Sequence, residues 1–282
     1  MIRPPLIKPR TTQAIAFVGL YAATALVVMP VVIVVGLMLY KGLSGLNWAL
    51  LTQGSQALLP AITGTILLVL LTAAMAAPVG IAAAVYMTEY ARKGPLLRLI
   101  RLAIVNLAGV PSVVYGLFGL ALFVMMLKFG RSLISGSATL ALLVLPLIIS
   151  ASEEALRQVP RRLRDGSLAL GATRWQTVRR VVLPNAMPGI ITGLILSISR
   201  AAGETAPILF TAAFFSLTHP YPKTVFDAVV ALPYQLFVMS TEMPDIPLST
   251  KWATALVLVV VVLGVNAGAI VLRARLRRVR RW

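Results

Sequence analysis

An arginine and a glutamate stand four residues apart inside an apolar stretch, in the run Ser199-Arg-Ala-Ala-Gly-Glu-Thr-Ala-Pro207. In a helix, Arg200 and Glu204 share one face and can form an ion pair. Counted from about Pro188 at ~1.5 Å per residue, Arg200 lies roughly 18 Å into an apolar core of ~30 Å. A charge at that depth costs about 2.5–3.5 kcal/mol, and such residues normally face a bundle interior or an aqueous pathway.

The chemistry of these two side chains suits the binding of an oxyanion. A guanidinium makes paired hydrogen bonds to a tetrahedral oxyanion. A neighbouring carboxylate can accept a hydrogen bond from an oxyanion that still carries a proton. Gly203 and Pro207 are expected to loosen the helix and to free backbone groups nearby. The alternative interpretation is a structural salt bridge that pins two helices together.

Such a pair must be positioned by membrane-spanning helices. Of the 282 residues, 59% are hydrophobic and only 12% are charged, whereas a soluble domain carries about 25% charged residues. Apolar runs of this kind are long enough to cross a bilayer. We count six apolar segments, at 14–40, 61–88, 99–127, 137–153, 187–216 and 252–272. The sequence therefore predicts an all-α polytopic membrane protein with six transmembrane helices.

The basic residues predict the orientation of these spans. The N-terminal tail has three Lys and Arg, the connection between spans two and three has four, the connection between spans four and five has seven, and the C-terminal tail has six. Only five lie on the opposite side. Because Lys and Arg are enriched in cytoplasmic loops, both termini and the large basic loop are expected in the cytoplasm.

The composition also argues against several other classes of protein. The chain has no cysteine, and its one histidine is His219, expected in solvent. The eight acidic residues are scattered, so an integral membrane enzyme, a catalytic residue, a metal site or a cofactor is not expected. The net charge of +18 comes from short clusters between apolar segments, which are topology signals and not a nucleic-acid surface. A self-contained channel or secondary transporter is a further alternative.

The basic loop between spans four and five has the pattern of two short helices joined by a turn. Gly171 suits a left-handed position at a helix C-terminus, and Thr173 with Gln176 fits a capping box. Pro184 is expected to end the second helix. Three apolar residues are expected to share one face of that helix, namely Trp175, Val178 and Val182.

This loop resembles the EAA loop of ABC-importer permeases, in which Glu-Ala-Ala, Gly and Leu-Pro recur at fixed spacing. Gly171, Val181, Leu183 and Pro184 match that spacing, and Asp165-Gly-Ser takes the place of Glu-Ala-Ala. In the family the loop forms a coupling helix that docks in a groove of the cytoplasmic ATPase. The resemblance implies that the ATPase is contacted by Asp165, Gly171, Trp175, Leu183 and Pro184. The alternative is a basic loop that only sets topology.

Two further runs are similar to those of phosphate permeases in particular. The pair described above lies in the signature Arg-x-x-Gly-Glu-Thr-Ala-Pro. The third span holds Asn106-Leu-Ala-Gly-Val-Pro-Ser-Val-Val-Tyr-Gly-Leu, similar to a Gly-x-Pro-Ser-x-x-Tyr-Gly-Leu run. The resemblance implies a substrate pathway lined by Arg200, Glu204, Asn106, Ser112 and Tyr115. Close helix packing is the alternative for the small residues Ser112, Gly116 and Gly119.

The resemblance implies a MetI-like permease that imports inorganic phosphate, or another oxyanion or small solute. Its expected partners are a dimer of ATP-binding subunits, a second homologous permease subunit, a phosphate-binding protein outside the membrane, and membrane lipid. No Gly-x-x-x-x-Gly-Lys-Ser/Thr loop is present, so ATP use is expected in a partner. The short outer loop after the first span is more similar to PstA subunits than to PstC subunits.

The resemblance also implies a division of the chain and a place in the bacterial cytoplasmic (inner) membrane. Residues 1–60 are expected to hold the tail, a peripheral first span and an outer loop. Residues 61–272 are expected to form a core of five transmembrane helices with the coupling loop at 158–186. Residues 273–282 are a basic tail. Two smaller expectations are that Glu89 is a solvated charge at a helix end and that Thr224–Met239 forms a short surface helix.

Overall fold

The computed structural model describes residues 9–53, 57–215 and 221–278. The first eight residues, His219 and the last four residues lie outside this part of the chain. The described residues form twelve helices: α1 (Pro9–Gly45), α2 (Trp48–Thr52), α3 (Leu58–Val85), α4 (Pro95–Ala108), α5 (Ser112–Gly119), α6 (Leu133–Arg157), α7 (Arg161–Ala169), α8 (Arg174–Thr177), α9 (Leu183–Gly203), α10 (Ala206–Thr211), α11 (Leu232–Thr241) and α12 (Leu248–Arg278).

Three of these helices continue through a π-helical stretch. Tyr86–Tyr90 extends α3, Leu120–Met126 extends α5, and Val178–Val182 joins α8 to α9. With these extensions, five helices of the described chain are long and apolar enough to cross a membrane: Ala16–Gly45, Leu58–Tyr90, Leu133–Arg157, Arg174–Gly203 and Leu248–Gly268.

The sixth predicted span is sharply broken. Pro95–Ala108 and Ser112–Met126 meet at an angle of 99°, whereas the sequence indicated one apolar segment over 99–127. Pro111 explains the break, because it has no backbone N–H and disfavours helical dihedrals in the residue before it. If this bent pair is one span, the total is the expected six.

The centre of the fold is α6, which packs against α3, α9, α4, α5 and α10. Its side chains Leu140, Val144, Ile148 and Leu156 are almost completely buried. The helix begins at an N-cap, Ser132, whose hydroxyl accepts a hydrogen bond from the backbone N–H of Ser135. An apolar helix surrounded on all sides by other helices is expected at the core of a membrane bundle.

The first span lies at the edge of the bundle. None of the apolar stretch of α1 is buried, and the helix packs along α12. The contact is close at Gly42, where an added Cβ would lie 2.9 Å from the carbonyl oxygen of Trp252. Lys41 stands over the Trp252 ring, with Nζ 5.7 Å from the ring centroid.

The surface helix predicted over Thr224–Met239 forms only in its second half, and that half is partly buried. Residues 224–231 are not helical, and Val229 instead forms a β-bridge with Ala213. Helix formation begins only at Leu232, because Pro233 fits the first turn of a helix and not its interior. The resulting α11 buries Gln235 and Met239 and packs against α3 and α12.

The loop before α11 is fixed by one carboxylate. Asp227 accepts hydrogen bonds from the backbone N–H groups of Thr224 and Lys223, at 2.9 and 2.7 Å, and from the Thr224 hydroxyl at 3.0 Å. The Thr224 backbone bond is the main cause that lowers the pKa of Asp227 below its usual value. The loop also docks on the start of α6, because the Leu133 N–H donates to the carbonyl of Asp227 at 2.8 Å.

Candidate functional site

The pair Arg200–Glu204 lies where α9 ends. The helix stops at Gly203, Glu204 has an extended backbone, and α10 begins at Ala206. The Nε of Arg200 donates to Oε1 of Glu204 at 3.2 Å. The predicted loosening at Gly203 and Pro207 is confirmed, because the fifth span is interrupted between these two residues.

The guanidinium of Arg200 keeps most of its hydrogen-bonding capacity free. Among the described residues, only its Nε donates a hydrogen bond, so both Nη groups remain available as donors. The side chain of Arg200 is 41% exposed, whereas that of Glu204 is 16% exposed. On the same face of α9, Leu196 is also exposed and no atom lies near Gly203. This arrangement presents a cation, backed by a carboxylate, at an open face of the bundle.

A polar contact next to this pair was not predicted. The hydroxyl of Ser199 lies in hydrogen-bonding contact with Oδ1 of Asn266 and with the carbonyl oxygen of Ile195. Asn266 belongs to α12, so the contact joins α9 to α12 one residue before Arg200. The available signal was the one amide side chain in the otherwise apolar run 255–272.

The three residues of the third span that were predicted to line the substrate pathway differ in their burial. Tyr115 is buried, and its hydroxyl donates to the carbonyl of Leu107 at 2.9 Å. That bond crosses the break between α4 and α5 and adds a side-chain donor to a carbonyl in the last turn of α4, which also accepts from the Val110 N–H at 3.1 Å. Ser112 is half-buried at the start of α5, and Asn106 is exposed in the last turn of α4.

The break in the third span lies close to the break in the fifth. Tyr115 and Ala201 belong to one buried cluster. A Cβ added to Gly116 would lie 3.0 Å from the carbonyl oxygen of Ala206, and one added to Gly119 would collide with Thr139. The predicted close packing is therefore confirmed at Gly116 and Gly119, where α5 lies against α10 and α6.

The turn in the basic loop has the predicted geometry. Gly171 has φ +82°, a conformation that other residues rarely adopt. Thr173 and Gln176 form the capping box: Thr173 Oγ1 accepts from the Gln176 N–H at 3.2 Å, and Gln176 Oε1 accepts from the Thr173 N–H at 2.8 Å. The two helices α7 and α8 are therefore separated by one rigid turn.

The prediction that Pro184 ends the second helix is wrong. Residues Arg174–Gly203 form one continuous helix of 30 residues, and Pro184 is the second residue of α9. The preceding stretch Val178–Val182 is π-helical. A π-helical turn has already left the usual hydrogen-bond register, so a residue that lacks an N–H is accommodated just after it.

The five residues expected to contact the ATPase differ in exposure. Asp165 and Gly171 are exposed, and Trp175 is 59% exposed. Leu183 and Pro184 are half-buried at the base of α9. Val178 and Val182, which were predicted to share a helix face with Trp175, are buried. Trp175 itself remains exposed. Leu170, which the sequence analysis did not select, is 90% exposed beside the turn.

The prediction that Glu89 is a solvated charge is wrong. Its carboxylate is mostly buried and pairs with Arg164 of α7, with Nη2 to Oε1 at 2.8 Å. The two residues are 75 positions apart, and no local sequence pattern predicts a contact between residues so far apart. The pair joins the basic loop to the end of the second span.

A bundle of membrane spans joined by a capped pair of short helices is the architecture that the sequence analysis expected of a transporter membrane subunit. Residues 76–281 match the family model of the binding-protein-dependent transport system inner membrane component. The chain belongs to this family. It is a multi-pass inner-membrane permease and not an enzyme, and membership implies a separate ATPase and a solute-binding protein as partners.

Relatives of known name cover nearly the whole chain. The chain is 32% identical to "Phosphate transport system permease protein PstA 1" of Mycobacterium tuberculosis, over 100% of this chain and 94% of that protein. It is 34% identical to "Phosphate transport system permease protein PstA" of Xylella fastidiosa, over 81% of each chain. It is also 34% identical to "Probable ABC transporter permease protein YqgI" of Bacillus subtilis, over 84% of this chain and 87% of that protein.

Solved structures of transporters confirm the fold. A chain of the MetNI methionine ABC transporter matches with a TM-score of 0.64 at 17% identity, over 78% of this chain and 95% of that one. A chain of a bacterial transporter that imports the acidic polysaccharide alginate matches with a TM-score of 0.66 at 16% identity, over 94% and 99%. The predicted MetI-like fold is therefore confirmed.

Proposed function

We propose that this chain is the PstA-type subunit of an ABC importer and that it moves inorganic phosphate across the inner membrane. The observation that carries the proposal is the guanidinium of Arg200, placed at a helix break with only its Nε engaged by Glu204. Phosphate is the solute printed in the names of the PstA relatives. A fork of free N–H donors matches two oxygens of a tetrahedral oxyanion.

Glu204 supports phosphate over a fully deprotonated oxyanion. Near neutral pH phosphate carries a proton that it can donate, and sulfate does not. The Glu204 carboxylate is held beside Arg200 by the 3.2 Å hydrogen bond and can accept that proton in a hydrogen bond. It also limits the positive charge at the site, so that a bound anion is released as well as captured.

We also propose where the other subunits of the importer contact this chain. A PstC-like second permease covers the open face of Leu196 and Arg200, because a charged side chain at this depth faces protein or water and not lipid. An ATPase dimer docks on the exposed residues around Gly171, and a phosphate-binding protein docks on the outer surface. Residues 61–272 form the transport core, and α1 is peripheral to it.

Uptake measurements test the solute. In cells that lack this chain's gene, restoring it should restore uptake of radiolabelled phosphate at micromolar concentration. An excess of unlabelled sulfate or molybdate should leave that uptake unchanged. Restoration of sulfate or molybdate uptake, with phosphate uptake unaffected, would assign the chain to a different oxyanion and refute the proposal.

The proposed orientation places both termini in the cytoplasm, from the bias of Lys and Arg. The chain has no native cysteine, so single cysteines report without background. A membrane-impermeant maleimide added to spheroplasts should label Tyr221→Cys in the outer loop and should label Ala274→Cys near the end of α12 only after permeabilisation. Labelling of Ala274→Cys before permeabilisation would contradict this orientation.

A further inference from the structure

The first helix of the coupling loop, α7, is tied to the spans by the guanidinium of Arg164. Its Nε lies 3.2 and 3.3 Å from the two oxygens of Glu89, and its Nη2 lies 2.8 Å from Oε1. Nη1 also donates to the carbonyl of Val159 at 2.6 Å, and Nη2 to the carbonyl of Leu156 at 2.8 Å. All three nitrogens of this guanidinium are therefore engaged.

These acceptors belong to two different spans. Glu89 lies in the π-helical turn that ends the second span, Leu58–Tyr90. The carbonyl of Leu156 lies in the last turn of α6, where it also accepts from the Val159 N–H at 3.3 Å, and the carbonyl of Val159 lies two residues beyond the end of that helix. Pro160, which follows, has no N–H to offer them. Arg164 thus caps α6 and pairs with the end of α3 from a single position on α7.

Burial makes the contact selective for arginine. The side chains of Arg164 and Glu89 are only 18% and 12% exposed. A buried carboxylate that loses its partner is strongly destabilising, whereas a neutral replacement of both partners is often tolerated. A lysine cannot reproduce the fork that reaches Glu89 and two carbonyls at once.

The other ion pairs at this end of the bundle do not reach the coupling loop. Arg101 pairs with Glu153 at 2.6 Å and joins α4 to α6, and Arg157 pairs with the same Glu153 inside α6. Among the ion pairs of the described residues, only Arg164–Glu89 connects the coupling loop to a span. Arg101 therefore supplies a matched comparison: an arginine paired with a buried glutamate near the same membrane face, away from the loop.

We infer that Arg164 is a positioning residue that passes movement of the ATPase-docked loop to α3 and α6. The fifth span needs no such link, because α8 continues into α9 without interruption. The second and fourth spans are not continuous with α8. They pack on the base of α9 through a buried apolar cluster that includes Met87, Leu156 and Val182, and the Arg164 contacts add a polar link from α7 to both spans. The inference rests on the family of the chain and on these contacts, and it does not depend on which solute is carried.

The test uses the complete importer, purified in membranes with its ATPase and second permease. Its readout is ATP hydrolysis with and without the native binding protein, isolated with its own bound solute. This readout needs no assumption about phosphate, so it separates failure of the inference from failure of the proposed function. Stimulation of the ATPase by an outer-face protein requires that movement pass through the spans to the loop.

The deciding variant is the neutral double Arg164→Gln with Glu89→Gln. We expect it to retain normal amounts of co-purified ATPase while stimulation by the binding protein falls about fivefold or more. Single Arg164→Gln, which leaves a buried carboxylate unpaired, should lower subunit abundance as well. The comparison variant Arg101→Gln should keep its stimulation, because Glu153 retains Arg157. Normal stimulation in the neutral double would overturn the inference, and so would loss of the ATPase from that variant, since Arg164 would then only hold the docking surface in shape.

Discussion

Replacement of Arg200 by glutamine is expected to abolish solute uptake while the subunit still inserts and assembles. Hydrogen bonds to charged groups are worth about 1.5–3 kcal/mol each, and each 1.4 kcal/mol is about tenfold. Loss of two such bonds to the passing oxyanion should lower the initial rate of uptake by about 100-fold or more. Arg200→Lys should retain little activity, because an ammonium does not reproduce the guanidinium fork.

A double variant in which both charges are removed distinguishes a role in transport from a role in structure. Uptake and subunit abundance are measured for Arg200→Gln, for Glu204→Gln and for the double variant. If Arg200 contacts the solute, the double variant assembles but does not transport. If the pair is only structural, both single variants lose abundance and the double recovers both properties, because a single substitution leaves one charge inside the membrane without its partner and the double leaves none. Transport by the double variant would therefore refute the pathway role.

A second large loss is expected when Gly171 is replaced by valine. The φ of +82° at this residue lies where a Cβ costs roughly 1–2 kcal/mol, and more for a β-branched side chain. Because no neighbouring atom crowds the position, the effect is one of backbone conformation and not of space. The angle between α7 and α8 should change, and co-purification of the ATPase and uptake should both fall at least about tenfold.

Two matched variants make this result specific. Gly171→Asn should retain much of the activity, because asparagine tolerates the left-handed conformation better than other residues. Gly94→Val lies in the connection between the second and third spans, with open space and an extended φ of −172°, and should leave ATPase binding unchanged. Equal ATPase co-purification with Gly171→Val and with the unaltered chain would show that this turn does not set the docking angle.

The turn between α7 and α8 was predictable because the residues that form it are close together in the sequence. Gly171, Thr173 and Gln176 lie within six residues, and each acts on backbone groups one turn away. The interruption at Gly203 was predictable for the same reason. The spans followed from the lengths of the apolar runs, which the bilayer thickness fixes independently of how the helices pack.

The contacts that local patterns could not supply are those between distant residues. Glu89 and Arg164 are separated by 75 positions, and Ser199 and Asn266 by 67. A glutamate at a helix end is usually solvated, whereas this one is paired with the guanidinium of Arg164 from α7. The prediction that Pro184 ends a helix was wrong for a different reason. It assumes the usual hydrogen-bond register, whereas the π-helical turn before Pro184 has a different register.

The helix from Arg174 to Gly203 is unbroken, so a tilt at one end is carried to the other. At ~1.5 Å per residue its 30 residues span about 45 Å, with the turn at Gly171 next to one end and Arg200–Glu204 at the other. A tilt of about 10° at the end near Gly171 would therefore move the far end sideways by roughly 8 Å, close to the ~8–10 Å that separates the axes of two packed helices. An angular change that is small at the turn would thus be enough to shift Arg200 and Glu204 relative to the neighbouring helices, within the plane of the membrane.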